Sequence, residues 1–473
     1  MKKFDTKVQH LKYKVLREVA TEAWEDRIAY TSVDIPHKLA PGKKPTISCC
    51  VYKERAILSK RVKLALGGNR ENKKSIEIID IACDECPSAG YEITSACRGC
   101  LANHCEDVCK VGAIYFDVHH VAHIDKSKCV ECGRCAKVCP YYAIINRMRP
   151  CQVVCKAKAV GITESKELFI DYDKCISCGA CVYQCPFGAI CDKSYILNVI
   201  DLIKTSDGNS SYKVYAMVAP SIASQFTYAK IGQVVSGLKE MGFYGVIEAA
   251  LGADMVALNE SRELAEKGFL ISSCCPAFVD YVNNFFPDLK QHISHNPSPM
   301  ITLAKVMKDK DPNCKIVFIG PCTAKKDEYK KPEYKGLIDS VITFEELQAL
   351  FDSLNIEICD LKEDTLDDAS FYGRIFARSG GLSQAVEQAL KEQNIDFNVN
   401  PIVCNGIDEC KMALLRKSKN ALDANFIEGM ACVNGCIGGA GCLTHGEQNK
   451  KQIDDHGEKA KDKTILSSLE NLK

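Results

Sequence analysis

Cys129-x2-Cys132-x2-Cys135-x3-Cys139-Pro and Cys175-x2-Cys178-x2-Cys181-x3-Cys185-Pro are two copies of one ligand pattern. Three closely spaced thiolates can wrap a 4Fe-4S cubane while the fourth reaches a neighbouring one. A tetrahedral zinc needs four ligands and gains nothing from the doubled spacing. By that rule Cys129, Cys132, Cys135 and Cys185 would hold one cluster, and Cys175, Cys178, Cys181 and Cys139 the other. The flanking PYYAI and PFGAI mark an internal duplication. Cys97-x2-Cys100-x4-Cys105-x3-Cys109, followed by VGAI, is a variant of the repeat; Cys151-x3-Cys155 looks truncated, and Cys83-x2-Cys86 adds a pair. These sixteen cysteines suffice for four cubanes. A second partition, pairing the first repeat with the second and the truncated one with the last, stays open.

The C-terminal half carries another set of thiols in three separated segments: ISSCCPAF around Cys274 and Cys275, GPCTAKKDE around Cys322, and EGMACVNGCIGGAG around Cys432 and Cys436. Together the two sets read as a buried metal site with its own electron wire, which points to redox chemistry. Cys49, Cys50, Cys191, Cys314, Cys359, Cys404, Cys410 and Cys442 lie outside these patterns. They read as structural, because buried free cysteine is common. His104, between Cys100 and Cys105, reads as solvent-facing.

These ligands need two kinds of scaffold. The doubled cysteine run, which matches that of bacterial ferredoxins, predicts an α+β ferredoxin-like multi-cluster domain over 81–204. From about 212 onward, the strand-like runs YKVYAMVAP, GFLISS and CKIVFIGP each lead into a polar or cysteine-bearing turn and then a helical pattern. That predicts an α/β domain over 212–445 with its chemistry at strand ends. Two loop-like stretches, Pro41-Gly42-Lys43-Lys44-Pro45 and Ser206-Asp207-Gly208-Asn209-Ser210-Ser211, suggest boundaries. Residues 1–80 read as a helical, basic region without assigned chemistry, with VYKERAILSKRVKLAL an amphipathic helix. Residues 446–473 read as a charged tail, either a solvated helix or a partly disordered end.

The 473 residues, 46% hydrophobic, are enough for two or three domains. Because 61 basic and 61 acidic residues cancel, no long-range field favours nucleic acid or an anionic membrane. The opening MKKFDTKVQHLKYKVLREV is charged throughout and lacks an apolar signal core. In so long a chain, 29 cysteines then point to thiolates kept for metal in a reducing cytoplasm. No stretch nears the roughly 20 apolar residues that span a bilayer. No Gly-x-Gly-x-x-Gly stands at a strand-helix junction, so a bound nucleotide is not expected.

In order and spacing, the three C-terminal segments resemble the signature segments of the FeFe-hydrogenase (iron-only hydrogenase) catalytic domain. The usual forms there are TSCCPxW, Pro-Cys-x2-Lys-x2-Glu and Met-Ala-Cys-x3-Cys-x2-Gly-Gly. The resemblance runs from Val218 to Gly441 and is supported by Ala219-Pro220-Ser221, LGADM before Glu260, Ser298-Pro299-Met300 and GRIFARSGG at 373–381. With its bacterial-type 4Fe-4S ferredoxin region, the chain is most similar to the monomeric multi-cluster branch called group B. The resemblance implies a two-lobed catalytic domain in which Cys275, Cys322, Cys432 and Cys436 bind the cubane of an H-cluster. The Cys436 sulfur would also bridge to a diiron unit carrying carbon monoxide, cyanide and dithiolate amine ligands. It implies Lys325 directed at one cyanide with Glu328 as counter-charge, and Ala219, Pro220 and Ser221 lining the other. Met430 and Phe376 would form an apolar wall. Cys274 matches the proton-transfer thiol, and the matching positions continue through Glu260, Ser294 and Glu263 toward the surface.

The implied activity is reversible oxidation of dihydrogen to protons and electrons. Electrons would pass through two or more further 4Fe-4S clusters, up to four, to ferredoxin or flavodoxin, and hydrogenase maturation proteins would build the diiron unit. The alternative is a non-catalytic hydrogenase-like iron-sulfur protein, either a dihydrogen sensor or an iron-sulfur assembly factor. The thiol at Cys274 favours the enzyme, because both rivals usually lack it. Three positions depart from the usual pattern: Ala277-Phe278 replaces Gly-Trp, Gly320 stands where a methionine is common, and Cys442 follows Gly441 where Gln-Pro is frequent. The stretch between Glu263 and Cys274 is also about six residues shorter than in commoner forms.

Overall fold

Continuous apolar runs without polar alternation form strands buried on both faces. In the computed structural model, which describes residues 3–84, 86, 90–163, 165 and 167–470, YKVYAMVAP and CKIVFIGP become Val214–Val218 and Lys315–Gly320, the central strands of a parallel sheet. Gly245–Glu248 flanks the first and Ser340–Thr343 the second. GFLISS supplies only Leu270–Ile271, which lies parallel to Phe426–Met430, itself paired with Pro401–Asn405. Each sheet anchors one lobe of an α/β pair, as the sequence predicts.

The helix Ala249–Lys267 joins the lobes. Its first turns, through Leu251, enter the core of the four-stranded sheet, whereas Ala253, Ala257, Leu258 and Leu264 pack with Leu270 and Phe426 of the other. At Gly252 a Cβ would come within 2.2 Å of the Pro299 carbonyl oxygen, so close packing on the helix Pro299–Lys310 demands glycine.

The cysteine-rich region is built from two-stranded antiparallel pairs. Ile114–Phe116 pairs with Ala122–Ile124, and Val160–Ile162 with Leu168–Ile170. Gly90–Ile93 pairs with Ile144–Arg147, and Ile76–Ile78 with Ile190–Asp192. Residues 90–147 therefore form an outer module inserted into an inner one that closes on the strands at 76–78 and 190–192. The sequence boundary at 80/81 cuts this inner module, because the pairing partner of Ile76–Ile78 lies more than a hundred residues downstream.

The N-terminal region is no separate unit either. A Thr6/Gln9 capping box starts the helix Lys7–Trp24, with Gln9 N donating to Thr6 Oγ1 at 3.1 Å and Thr6 N to Gln9 Oε1 at 3.1 Å. Its stripe of Val15, Leu16, Val19 and Ala20 is buried in the same core as Leu347 and Leu350 of the helix Phe344–Ser353. Each large apolar side chain buried this way contributes about 1.5–3 kcal/mol. VYKERAILSKRVKLAL forms the expected helix, Val51–Ala65.

The tail expectation needs correction. Gln448–Glu458 is a helix that buries Asn449, Ile453 and His456, and Ile465–Glu470 buries Ile465 and Ser468. The charged residues clothe the outer faces of these helices while sparse apolar ones point inward, a pattern that composition alone reads as solvated. Residues 471–473 of that tail, and residues 1 and 2 of the N-terminal region, lie outside the described residues.

Candidate active site

The four thiols Cys275, Cys322, Cys432 and Cys436 are delivered by strand ends of both lobes. Cys275 caps the helix Pro276–Phe285 after the strand Leu270–Ile271, and Cys322 follows Lys315–Gly320. Cys432 and Cys436 follow Phe426–Met430. Burial pushes Cys322 up to about 11 and Cys436 up to about 12, with the neighbouring thiols of the set adding to both shifts. Cys432 is raised further by burial, then by Cys322, Cys275 and Cys178. Among the described residues no three His, Cys, Asp or Glu side chains close on one point, as a single bare ion requires. A cubane asks for thiolates that stand apart, one per iron, and four partly buried, mutually neighbouring thiols fit it.

Beside this set lies a cavity of about 90 Å³ lined by Ala219, Pro220, Ser221, Cys274, Lys325, Phe376 and Met430, together with Cys275, Cys322 and Cys436. Every residue that the resemblance assigns to the diiron pocket is therefore on one wall or another. Lys325 Nζ donates to Glu328 Oε2 at 2.6 Å. Burial opposes the charge on Lys325, but Glu328 and the Cys322 and Cys436 sulfurs outweigh it and raise its pKa. The Ser221 hydroxyl is buried with no hydrogen-bond partner among the described residues. A buried orphan donor and a lysine beside an apolar wall suit an anionic guest that is held without being coordinated. Phe376 and Met430 are 5% and 2% exposed.

The glycine at 320 does not leave a gap. Strand side chains two apart share a face, and the Phe318 ring, which lines the same cavity, lies over Gly320: a Cβ there would meet Phe318 Cε1 at 2.7 Å. Phe318 thus takes the place of the bulky contact whose loss the sequence suggested. It is the main cavity residue missed from sequence, though its position two before a strand-end glycine is a usable signal.

From Cys274 a line of polar groups runs outward. Burial pushes the Cys274 thiol well up, and nearby Glu260 pushes it further. Glu260 is fully buried; Ser273 N and Oγ both donate to its Oε1 at 3.2 Å, while Oε2 has no partner among the described residues. Burial raises its pKa to about 7. Ser294, close enough to influence Glu260, donates from Oγ to Glu263 Oε2 at 2.9 Å. Glu263 Oε1 accepts from Lys267 Nζ at 2.6 Å and from the backbone of exposed His295 at 3.1 Å. Its pKa is lowered: burial opposes this, but Lys267, the His295 amide and Ser294 prevail. The structure thus brings Cys274, Glu260, Ser294 and Glu263 into sequence despite the shortened segment.

The accessory cysteines fall into four sets. Cys151 lies beside Cys185, Cys83 and Cys86, and Cys181 beside Cys178, Cys175 and Cys155. Cys135 neighbours Cys129 and Cys109, with Cys132 on the same cavity. Cys105 neighbours Cys100 and Cys139, and Cys97 N bonds to Thr94, which is tied to Ala143 beside Cys139. The first partition is therefore overturned: Cys185 does not join Cys129, Cys132 and Cys135, and Cys139 does not join Cys175, Cys178 and Cys181. Exchange of the fourth thiolate happens between repeats joined by a hairpin, the first with the second and the truncated one with the last. Cys83-x2-Cys86 supplies the thiolates that the truncated repeat lacks, and the outer module is the insertion separating them. In all four repeats the last cysteine accepts a backbone bond from the alanine four residues on: Ala113 to Cys109, Ala143 to Cys139, Ala159 to Cys155 and Ala189 to Cys185, at 3.2–3.4 Å.

A family model described as "Iron only hydrogenase large subunit, C-terminal domain" matches residues 212–440. A 4Fe-4S dicluster domain matches 96–143 and a 4Fe-4S binding domain 168–191. The periplasmic [Fe] hydrogenase large subunit of Nitratidesulfovibrio vulgaris is 30% identical over 383 residues, covering 69% of this chain and 87% of that protein. The chain belongs to the iron-only hydrogenase family. Iron hydrogenase 1 of Clostridium pasteurianum is 27% identical over 298 residues, 51% of this chain and 52% of its own length, so the chain matches about half of that relative. The Cytosolic Fe-S cluster assembly factor NAR1 of Kluyveromyces lactis is 28% identical over 183 residues, 35% of this chain and 38% of its own. Among the described residues no helix is long and apolar enough to cross a membrane.

This hydrogenase-family chain also holds a buried charge network that sequence reading missed. Lys326 Nζ, fully buried, donates to Asp192 Oδ2 at 2.8 Å, Glu346 Oε2 at 2.7 Å and the Lys193 carbonyl at 2.7 Å. Lys12 bonds to Asp192 and, at 2.7 Å, to Glu345. One network thus ties the N-terminal helix, the inner cluster module and the turn that carries Cys322 and Lys325. The same turn is clamped from the cluster side, where Thr323 Oγ1 donates to the Ser177 carbonyl at 2.7 Å. Of the cysteines read as structural, Cys191, Cys314, Cys404, Cys410 and Cys442 are buried, while Cys49, Cys50 and Cys359 are exposed. His104 is exposed, as expected.

Proposed function

We propose that this chain is an FeFe-hydrogenase that interconverts dihydrogen with protons and electrons at an H-cluster. The observation that carries the reading is the Cys274 thiol on the cavity wall, continued by Glu260, Ser294 and Glu263 to exposed His295. A protein that only stores or hands on clusters has no use for a proton line ending at that cavity. When bound, the H-cluster supplies the heterolytic splitting and re-formation of dihydrogen. Cys275, Cys322, Cys432 and Cys436 would hold its cubane, with Cys275, Cys322 and Cys436 on the cavity wall. Lys325 Nζ and Ser221 Oγ would orient the anionic diiron ligands, and Phe318, Phe376 and Met430 would exclude water. Cys274 Sγ exchanges a proton with the cavity on one side and with the Glu260 carboxyl on the other. Glu260, with a pKa near 7, holds a proton at neutral pH without binding it irreversibly.

Electrons use the cysteine sets. Cys178 lies beside Cys275 and Cys432, so the set with Cys155, Cys175 and Cys181 adjoins the H-cluster cubane. Cys181 in turn neighbours Cys151 of the set with Cys83, Cys86 and Cys185. The external carrier is a ferredoxin or flavodoxin, the diiron unit comes from hydrogenase maturation proteins, and the free thiols suit a reducing cytoplasm.

The test is an anaerobic infrared spectrum in the metal carbonyl and cyanide region after maturation, beside a known hydrogenase loaded identically. Carbonyl and cyanide bands, with dihydrogen turnover that Cys274→Ala abolishes without losing the bands, support the proposal. Absence of the bands in a preparation whose control loads would leave an iron-sulfur protein related to the assembly factors.

A further inference from the structure

The last repeat, Cys175–Cys185, and the second, Cys129–Cys139, are duplicates down to the backbone. Ser177 and Glu131 both have φ of 53°, and Gly179 and Gly133 have φ of 76° and 71°. Each continues into a helix, Ala180–Gln184 in one and Arg134–Val138 in the other. One copy has a partner for its outer face. Ile176 is 2% exposed and packs in the core beside Cys275 and Cys322. A Cβ on Gly179 would meet Ala440 Cβ at 2.5 Å, and Tyr183 stacks on His445 with ring centroids 4.0 Å apart. Through this face Cys178 comes beside Cys275 and Cys432.

In the outer copy the matching residues are Val130 for Ile176, Arg134 for Ala180 and Lys137 for Tyr183. Val130 is 65% exposed, and Arg134 and Lys137 are exposed with no ion pair among the described residues. Cys132, the counterpart of Cys178, is the only exposed cysteine among the twenty assigned to clusters. Tyr91 covers Gly133, where a Cβ would meet its hydroxyl at 2.2 Å, and Glu131 pairs with Lys126 at 3.0 Å, so the open part of this copy is Val130 and Cys132 beside Arg134 and Lys137. An exposed apolar residue and cluster thiol flanked by cations is the make-up of a transient, electrostatically steered interface.

We propose that this Val130–Arg134–Lys137 face docks an acidic one-electron carrier protein onto the cluster held by Cys109, Cys129, Cys132 and Cys135. The inference rests on the electron-relay part of the function proposed above, but not on dihydrogen turnover. One electron leaves the reduced cubane through the exposed Cys132 side and reduces the carrier's own cluster; no bond or proton is exchanged.

The experiment mixes the full, cluster-loaded, dithionite-reduced protein, freed of excess reductant, with an oxidised acidic 2[4Fe-4S] ferredoxin and follows carrier reduction by stopped flow. No dihydrogen is used, so the result is independent of whether the H-cluster is present. Arg134→Glu combined with Lys137→Glu, both fully surface changes, is expected to slow the second-order rate about tenfold or more at low salt. The rates of variant and parent should converge at high salt, with cluster spectra unchanged. Val130→Glu should slow transfer at all salt concentrations. Equal rates for parent and charge-reversed protein at low salt would overturn the proposal, as would sedimentation showing that the face pairs two copies of this chain.

Discussion

Replacing Glu260 by Gln separates what this carboxyl does for turnover from what it does to stability. The native side chain is fully buried and its pKa rises from the ordinary 4.5 to about 7, chiefly through burial. The fold therefore prefers the protonated form. That preference is complete below about 4.5 and is lost as pH rises through about 7, a swing on the order of 3 kcal/mol. Glutamine keeps the Oε1 acceptor for Ser273 N and Oγ but releases no proton. Its unpaired Nε2 adds a cost that does not vary with pH, so the quantity to follow is the difference between variant and parent. Chemical unfolding at matched cluster loading should show the variant gaining on the parent by up to about 3 kcal/mol between pH 5 and pH 8. Dihydrogen turnover should fall by about 10²–10⁴-fold, the usual worth of a positioned acid-base group, with carbonyl and cyanide bands unchanged. A nearly inert protein that gains stability relative to the parent as pH rises is the expected signature. Undiminished turnover at equal loading, or a stability difference flat across that range, would refute the reasoning.

Three further predictions follow from the same geometry. Cys185→Ser should remove the cluster shared with Cys83, Cys86 and Cys151 and leave that of Cys129, Cys132 and Cys135 intact, whereas Cys139→Ser should remove the one with Cys97, Cys100 and Cys105. Iron content, about four irons lower per chain in each case, and paramagnetic resonance of the remaining clusters check this. Lys326→Met strands Asp192 and Glu346 and should cost about 3–5 kcal/mol in chemical unfolding; a cost below about 1 kcal/mol would mean that the network is solvated. Gly320→Ala must displace the Phe318 ring, which should cost about 1–3 kcal/mol and shift the carbonyl bands of the matured protein, whereas unchanged bands would place Phe318 away from the diiron ligands.

What the sequence discloses here follows from how local each constraint is. The strand-end cysteines of the two α/β lobes are legible because an apolar run, a tight turn and a helix start are all written within a dozen residues. The order Cys274, Glu260, Ser294, Glu263 comes from the resemblance and not from local pattern: Ser294 and Glu263 meet only because the loop at 294–296 folds back onto the helix Ala249–Lys267. The sequence leaves two cluster partitions open: the bacterial ferredoxin rule applied between the two most perfect repeats gives the wrong one, and the pairing of the first repeat with the second and of the truncated one with the last is the one observed. Pairing is decided instead by which repeats a hairpin joins, and Cys83-x2-Cys86 cannot be matched to Cys151 without knowing that residues 90–147 are an insertion. The tail and the N-terminal helix were undervalued for one reason: a single buried stripe such as Val15, Leu16 and Val19 is diluted by charged neighbours in any composition count.

The bond from Lys12 to Glu345 spans 333 residues, and this bears on how the chain is made. The helix Lys7–Trp24 leaves the ribosome well before the helix Phe344–Ser353 that covers its apolar stripe, more than three hundred residues downstream. At about 5–20 residues per second, that stripe waits on the order of tens of seconds in water. Non-local closure of this kind also slows folding itself. The early helix therefore passes through synthesis as an exposed sticky surface, a natural client for a holding chaperone. The α/β half expressed without residues 1–80 would present the mirror-image bare patch around Leu347 and Leu350.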